Sequence, residues 1–328
     1  MTPGPMVSAG PGPRLGLIHN PRSQRNKAAA AGARRAEAER LGIRFADPAS
    51  PAALEEALVE FARAAVGVVI VDGGDGTLRE VLTALPAAYG TGLPAVAILA
   101  SGKTNLVAAA LGSAGHGTAG LRRLAGLARS GEMAGTIRPR PVLRIEWPDR
   151  SHPPVNGLFL GAAAFTRAVG LAQEAVHRRG VTQGPAVLLT IAGSLFRALS
   201  GRAGGWRAGE PLAVALDGMA PAAGDRLVFL ATTLDRLMLG LWPFWGSGPG
   251  PVRFLDVAAR PRRLSVGFWR ALRGRPAPWM ADDYRSGLAG EITLTLARPF
   301  ILDGEAFDAD ADGRIRISAG PEIGFLTP

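Results

Sequence analysis

A chain of 328 residues is long enough for two domains that each bury a core, and a hydrophobic content of 47% excludes a disordered protein. The absence of cysteine excludes disulfides and thiolate zinc sites and suits a reducing cytoplasm. All but two of the 37 basic residues are arginine, and the net charge of +10 is scattered along the chain. That scatter argues against nucleic acid as a partner, while a basic surface still attracts anionic lipid and nucleotide phosphates.

Residues 1–13 read as a Pro/Gly-rich disordered tail without the basic-then-apolar order of a secretory signal. Apolar stretches such as 157–165 and 186–191 fall far short of the ~20 residues that span a bilayer. From residue 14 to 138 strand and helix patterns alternate. Strand-like runs cover 15–19, 66–71 and 94–99; helical patterns cover 25–41, 78–85, 104–111 and 121–129. Ser50-Pro51 opens a further helix, with Leu54, Ala57, Leu58 and Phe61 on one face. Such alternation predicts a parallel sheet covered by helices.

Beyond residue 139 short strand-like runs dominate: 141–147, 211–216, 226–233, 252–257, 262–268 and 292–296. Helical patterns at about 164–178 and 185–199 interrupt them. These runs predict an antiparallel β-sandwich, so residues 14–138 and 139–328 are expected to be separate domains.

Three strings carry chemistry. Gly73-Gly74-Asp75-Gly76-Thr77 stands between an apolar strand and a helix, where bare backbone N–H groups approach an anion. A carboxylate is odd in direct contact with phosphate. It makes sense if Asp75 acts through Mg2+ or orients a hydroxyl. The bland alternative is a tight turn whose Thr77-x-x-Glu80 is a capping box.

Ala100-Ser101-Gly102-Lys103-Thr104-Asn105 follows one strand–helix unit later. It is no Walker A loop, because the first glycine of that pattern would fall on Ala97. Lys103 could supply charge to a phosphate or be an exposed first-turn residue. Asp303-Gly304-Glu305 near the C-terminus is a hairpin turn by composition. Asp308, Asp310 and Asp312 open like a calcium loop, but Ala319 stands where its closing glutamate is required. Trp242, Trp245, Trp269 and Trp279 are interleaved with Phe and Arg, which suits either a bilayer interface or a core fringed by solvated arginine.

Together these strings resemble the catalytic domain of diacylglycerol kinases, shared with sphingosine and ceramide kinases and more distantly with NAD kinases. Gly73-Gly74-Asp75-Gly76-Thr77 matches that family's central motif. Gly102 and Asn105 match its Pro-x-Gly-Thr-x-Asn loop, with Ala100 and Lys103 departing from it. Asn20-Pro21-Arg22-Ser23 matches its Asn-Pro-x-Ser-Gly signature, with Gln24 in place of glycine. Near the C-terminus, residues 313–318 and 323–326 match its terminal strand pair.

The resemblance implies a Rossmann-like N-terminal domain and a β-rich lipid domain. The segment 299–328 would contribute to an active site between them. It implies ATP and Mg2+ bound through Asn20, Gly73, Gly74, Gly76, Thr77, Gly102, Lys103, Thr104 and Asn105, with catalysis by Asp75 and by Glu305 as proton acceptor. The implied reaction is phosphorylation of a lipid hydroxyl, diacylglycerol to phosphatidic acid by default. The implied place is the cytoplasmic face of the membrane, with peripheral contact, and a homodimer is compatible with it. A soluble substrate such as NAD, or a member that binds without catalysis, is the alternative.

Overall fold

The computed structural model describes residues 12–27, 32–102, 105–167, 208–237 and 240–327. The chain divides into two compact units. One comprises Met1–Gly102, Leu111–Pro139 and Ile323–Pro328; the other comprises Lys103–Ala110 and Arg140–Glu322.

The first unit is a parallel sheet of β1 (Arg14–His19), β2 (Arg44–Ala46), β3 (Val66–Gly73) and β4 (Ala95–Ala100) in the order β2-β1-β3-β4. Phe325 adds a parallel pairing beside Val96 at the β4 edge. Leu15, Leu17, Val68, Ile70, Ala97 and Leu99 face one way, onto Ala38 of α2 (Ala33–Arg40) and Leu121, Leu124, Ala125 and Ala128 of α6 (Gly117–Ser130). The opposite face carries α3 (Pro51–Arg63), with α4 (Asp75–Tyr89) packed beside it. A strand buried on both faces must be apolar throughout, which is why β3 reads as a continuous Val/Ile run.

Local chemistry sets the helix limits. Ser50 caps α3, its hydroxyl accepting from Ala53 N at 3.2 Å, and Pro51 is pre-set for the first helical position. Phe61 of α3 lies so close over Gly16 that a Cβ there would come within 2.6 Å of the ring. The helix expected over 25–41 is not continuous: α1 (Gln24–Lys27) and α2 are separate, and Gly32 before α2 adopts φ 76°. Of the expected tail, residues 1–11 lie outside the described ones. Gly12 packs against the Ala128 carbonyl so tightly that no Cβ would fit.

The second unit is antiparallel. Its strands are β5 (Ile137–Glu146, entering from the first unit), β6 (Val155–Gly157), β7 (Phe159–Ala163), β8 (Glu210–Leu216), β9 (Ala222–Thr232), β10 (Val252–Ala258), β11 (Tyr284–Ala289), β12 (Glu291–Leu296), β13 (Phe300–Leu302), β14 (Glu305–Phe307) and β15 (Arg314–Leu326). Period-2 alternation divides their faces. Phe229 and Ala231 of β9, with Val252 and Phe254 of β10, join Leu160, Ile292, Leu294, Phe300 and Ile317 in one core. Val228, Leu230, Leu255 and Val257 point the other way, onto Leu264 and Ala271 of α7 (Leu264–Ala271).

Two expected elements are corrected. The strand expected at 262–268 is the start of α7: Leu264, Gly267 and Ala271 are buried at helical spacing, a period that the short apolar run concealed. The expected pair 313–318 and 323–326 is one continuous strand, β15, because Gly320-Pro321 does not interrupt the extended backbone. The helix expected at 164–178 is seen at 164–167 only, and its remainder, like 185–199, lies outside the described residues.

Candidate active site

The turn after β3 is built by glycine. Gly74 sits at the N-cap of α4 in extended backbone without a side-chain cap, and the helix begins at Asp75. Thr77 therefore lies inside the first turn, and the capping-box reading is set aside. Its hydroxyl instead accepts from Asn20 Nδ2 at 2.8 Å. A Cβ at Gly73 would fall 2.6 Å from Thr77 Cβ, and one at Gly74 would fall 3.2 Å from Gly102 Cα. Gly73→Ala is thus expected to lower stability by roughly 1–3 kcal/mol through overpacking against a β-branched neighbour. A urea midpoint equal to the parent's would show that the turn relaxes without cost.

The strand order puts this turn at a topological switch point: β2 lies to one side of β1 and β3 to the other. In open α/β sheets ligands bind outside the carboxyl ends of the strands at such a point. Asn20 leaves β1 there. Its Oδ1 accepts from Arg22 N at 2.9 Å while its Nδ2 reaches Thr77, so one side chain ties the loop after β1 to the first turn of α4. The loop after β4 joins them, with Ser101 N donating to Gly73 O at 3.1 Å.

Beneath the turn lies a group that motif reading passed over. Asp72 is fully buried. Its Oδ2 accepts from Arg34 Nε at 2.7 Å and lies 2.9 Å from His19 Nδ1, while Oδ1 accepts from the Ser101 hydroxyl at 2.5 Å. Asn26 Nδ2 donates to the Asp72 carbonyl at 3.2 Å and to Asn20 O at 2.9 Å. Burial alone pushes the Asp72 carboxyl up. The His19 and Ser101 hydrogen bonds and the Arg34 charge outweigh it and hold the group below the usual carboxylate range. The signal was present in the sequence as a charge closing an apolar strand, a position that demands a partner.

Within the first unit the structure thus brings together Asn20, Gly73, Gly74, Asp75, Gly76, Thr77 and Gly102. Lys103 and Thr104 lie outside the described residues. Asn105 precedes α5 (Leu106–Leu111) with φ 49°, a conformation asparagine tolerates, and its carbonyl accepts from Ala109 N at 3.0 Å. In the second unit, Asp303 and Gly304 adopt φ 49° and 90°, both positive as a two-residue hairpin of this hand requires. The Asp303 carboxylate is buried and accepts from Leu158 N and Phe159 N, both at 2.9 Å. It fixes the hairpin to β7. Glu305 opens β14 opposite Leu302 and is exposed.

The remaining candidates resolve by their contacts. Asp310 Oδ1 accepts from Asp312 N and Arg314 N, and Asp312 pairs with Arg314, so these acids shape a turn. Trp242, Trp245, Trp279 and Phe268 pack against the core under α7, whereas Trp269 is 48% exposed. No group of three metal-ligating side chains occurs among the described residues. A hard cation held by substrate phosphates needs only one or two carboxylates, and Asp75 at a helix N-terminus is such a group.

The described fold is a parallel α/β unit with a glycine turn at its switch point and, as a second unit, an antiparallel one. Residues 14–134 match the family model of the diacylglycerol kinase catalytic domain. In structure, 97% of the chain is similar to 98% of a candidate diacylglycerol kinase of Bacillus anthracis strain Sterne, at 14% identity and a TM-score of 0.62. A second such structure from that strain gives 13% identity, the same coverage and a TM-score of 0.64. A diacylglycerol kinase from the strain gives 13%, coverage of 97% of each chain and 0.58. Identities this low speak to the fold alone. No curated protein sequence matches the chain.

Proposed function

We propose that the protein is an ATP-dependent lipid kinase that transfers a phosphoryl group to a lipid hydroxyl, with diacylglycerol as the first acceptor to test. The observation that supports it is the Asn20–Thr77 hydrogen bond, which joins two of the family's signature strings across the switch point. Mg-ATP would supply the transferable phosphate. The chain's part is placement: Gly73 and Gly74 leave the backbone bare, the N-terminal end of α4 favours anionic oxygen, and Asn20 fixes its first turn. Asp75 is the carboxylate assigned to the cation. Glu305 is assigned to accept the hydroxyl proton.

Peripheral membrane contact belongs to the same reading. No described helix is long and apolar enough to cross a membrane. Val266 and Trp269 stand 53% and 48% exposed on α7, with Arg270, Arg273 and Arg275 beside them, a composition suited to an anionic interface. The proposed place of work is the cytoplasmic face of the membrane.

The test is transfer of labelled phosphate from ATP to a panel of acceptors in mixed micelles: diacylglycerol, monoacylglycerol, a sphingoid base and phosphatidylglycerol, with NAD in lipid-free buffer. Label in one lipid and none in NAD is the expected result. Label in NAD alone would move the protein to soluble-substrate chemistry.

A further inference from the structure

A parallel sheet delivers its strand ends to one edge, but it does not fix how the loops leaving those ends lean on one another. In this protein they converge on Asp72. Its main-chain oxygen accepts from Asn20 N at 3.0 Å and from Asn26 Nδ2 at 3.2 Å, holding the loop after β1 and helix α1. Its carboxylate takes Arg34 of α2 and His19 of β1 on one oxygen and Ser101 of the β4 loop on the other. Gly73, the next residue, accepts from Ser101 N. Every loop that carries a candidate phosphate-binding residue of this unit is therefore tied, directly or through one neighbour, to this residue.

The charge has the wrong sign for an electrostatic role. A carboxylate beneath a turn open to phosphate repels the ligand, and Arg34 only cancels that field. What remains is geometry. Its oxygens accept from groups on both sides of β3, and no apolar side chain of that size could do so.

We propose that Asp72 is the positioning residue of the nucleotide site, setting the mutual placement of the loops at 20–23, 73–77 and 101–102 without touching substrate. This deepens the nucleotide-binding reading above and rests on it.

The sign of one substitution separates placement from field. Asp72→Asn removes the negative charge and keeps the side chain's size. Acting through its field alone, Asp72 would give a variant that binds nucleotide more tightly. Placement predicts the opposite: the Kd of the full chain for a fluorescent ATP analogue with Mg2+ rises about tenfold, the scale of a lost charge-assisted hydrogen bond. Amide hydrogen exchange should accelerate at 20–23, 73–77 and 101–102 together. Ser101→Ala removes a single tie, so it should accelerate 101–102 alone and raise the Kd about threefold.

Unchanged or tighter binding by Asp72→Asn overturns the proposal, as does faster exchange confined to β3. If Asp72→Asn does not fold, Ser101→Ala decides: parental Kd and parental exchange at 101–102 overturn it. A parent chain that binds no nucleotide refutes the nucleotide reading instead, and the exchange pattern then decides alone whether Asp72 holds the three loops.

Discussion

Arg34→Ala is expected to destabilise the first unit by roughly 3 kcal/mol, because it strands a buried carboxylate without its cation. The Asp72 side chain is 0% exposed and that of Arg34 10%, so solvent cannot replace the lost partner. His19 and Ser101 still reach the carboxylate, which keeps the loss at the lower end of what breaking a buried pair costs. Far-UV circular dichroism in urea should show the helical transition shifted down by about 1–2 M, given a slope typical of a small domain. All six tryptophans lie at residue 147 or beyond, so their fluorescence reports on the other unit and should keep its parental transition. An unshifted circular dichroism midpoint would show that the pair contributes nothing.

The pH dependence follows from the direction of the Asp72 shift. Its folded-state pKa is depressed, so its contribution to stability is fully present above the unfolded carboxylate value near ~4 and fades as pH falls through the lower folded value. Arg34 is one of the groups that lower it. Without that charge the folded pKa rises, the stabilisation shrinks, and acid unfolding of the first unit should begin at higher pH than in the parent. Coincident acid profiles would contradict this.

Much of the fold was legible because its signals are local. The Val/Ile run of β3, the Ser50-Pro51 cap and the 3.6-residue spacing of Leu54, Leu58 and Phe61 each declare an element within a dozen residues. What failed was equally physical. In α7, Val266 is apolar on the exposed face of a short helix, so apolar spacing and a β-run look alike over seven residues. In β15, Gly320-Pro321 has the composition of a turn, yet proline tolerates extended backbone, and the strand runs through it. At the site, glycine strings announced the turns, while Asp72 could be recognised only once Arg34, 38 residues away, and Ser101, 29 residues away, were seen on it. Partners so far apart in sequence have no periodicity to betray them. Thr77 shows the reverse hazard: a capping-box string that the helix absorbs whole, leaving its hydroxyl to Asn20.

The largest effects should fall on turnover at the two assigned carboxylates, and their different settings predict different signatures. Asp75 belongs to the first turn of a 15-residue helix, where the macrodipole favours a negative charge and a phosphate would otherwise compete for the position. A cation between them removes that conflict. Asp75→Asn keeps the shape and loses the charge, so phosphoryl transfer should fall about 10²–10³-fold, in the range seen when one preorganised electrostatic group is lost. The Mg2+ concentration for half-maximal rate should rise with it. Glu305 is exposed on a rigid hairpin whose turn residue Asp303 is clamped to β7 by two backbone hydrogen bonds. Its assigned work is to take a proton, and Glu305→Gln should cost about 10²–10⁴ in kcat with little change in the Mg2+ requirement. Steady-state kinetics on both variants with the best acceptor of the panel would check this. A Glu305→Gln enzyme with parental kcat would end the assignment of the proton to that residue, while leaving the nucleotide turn and Asp75 to be judged on their own numbers.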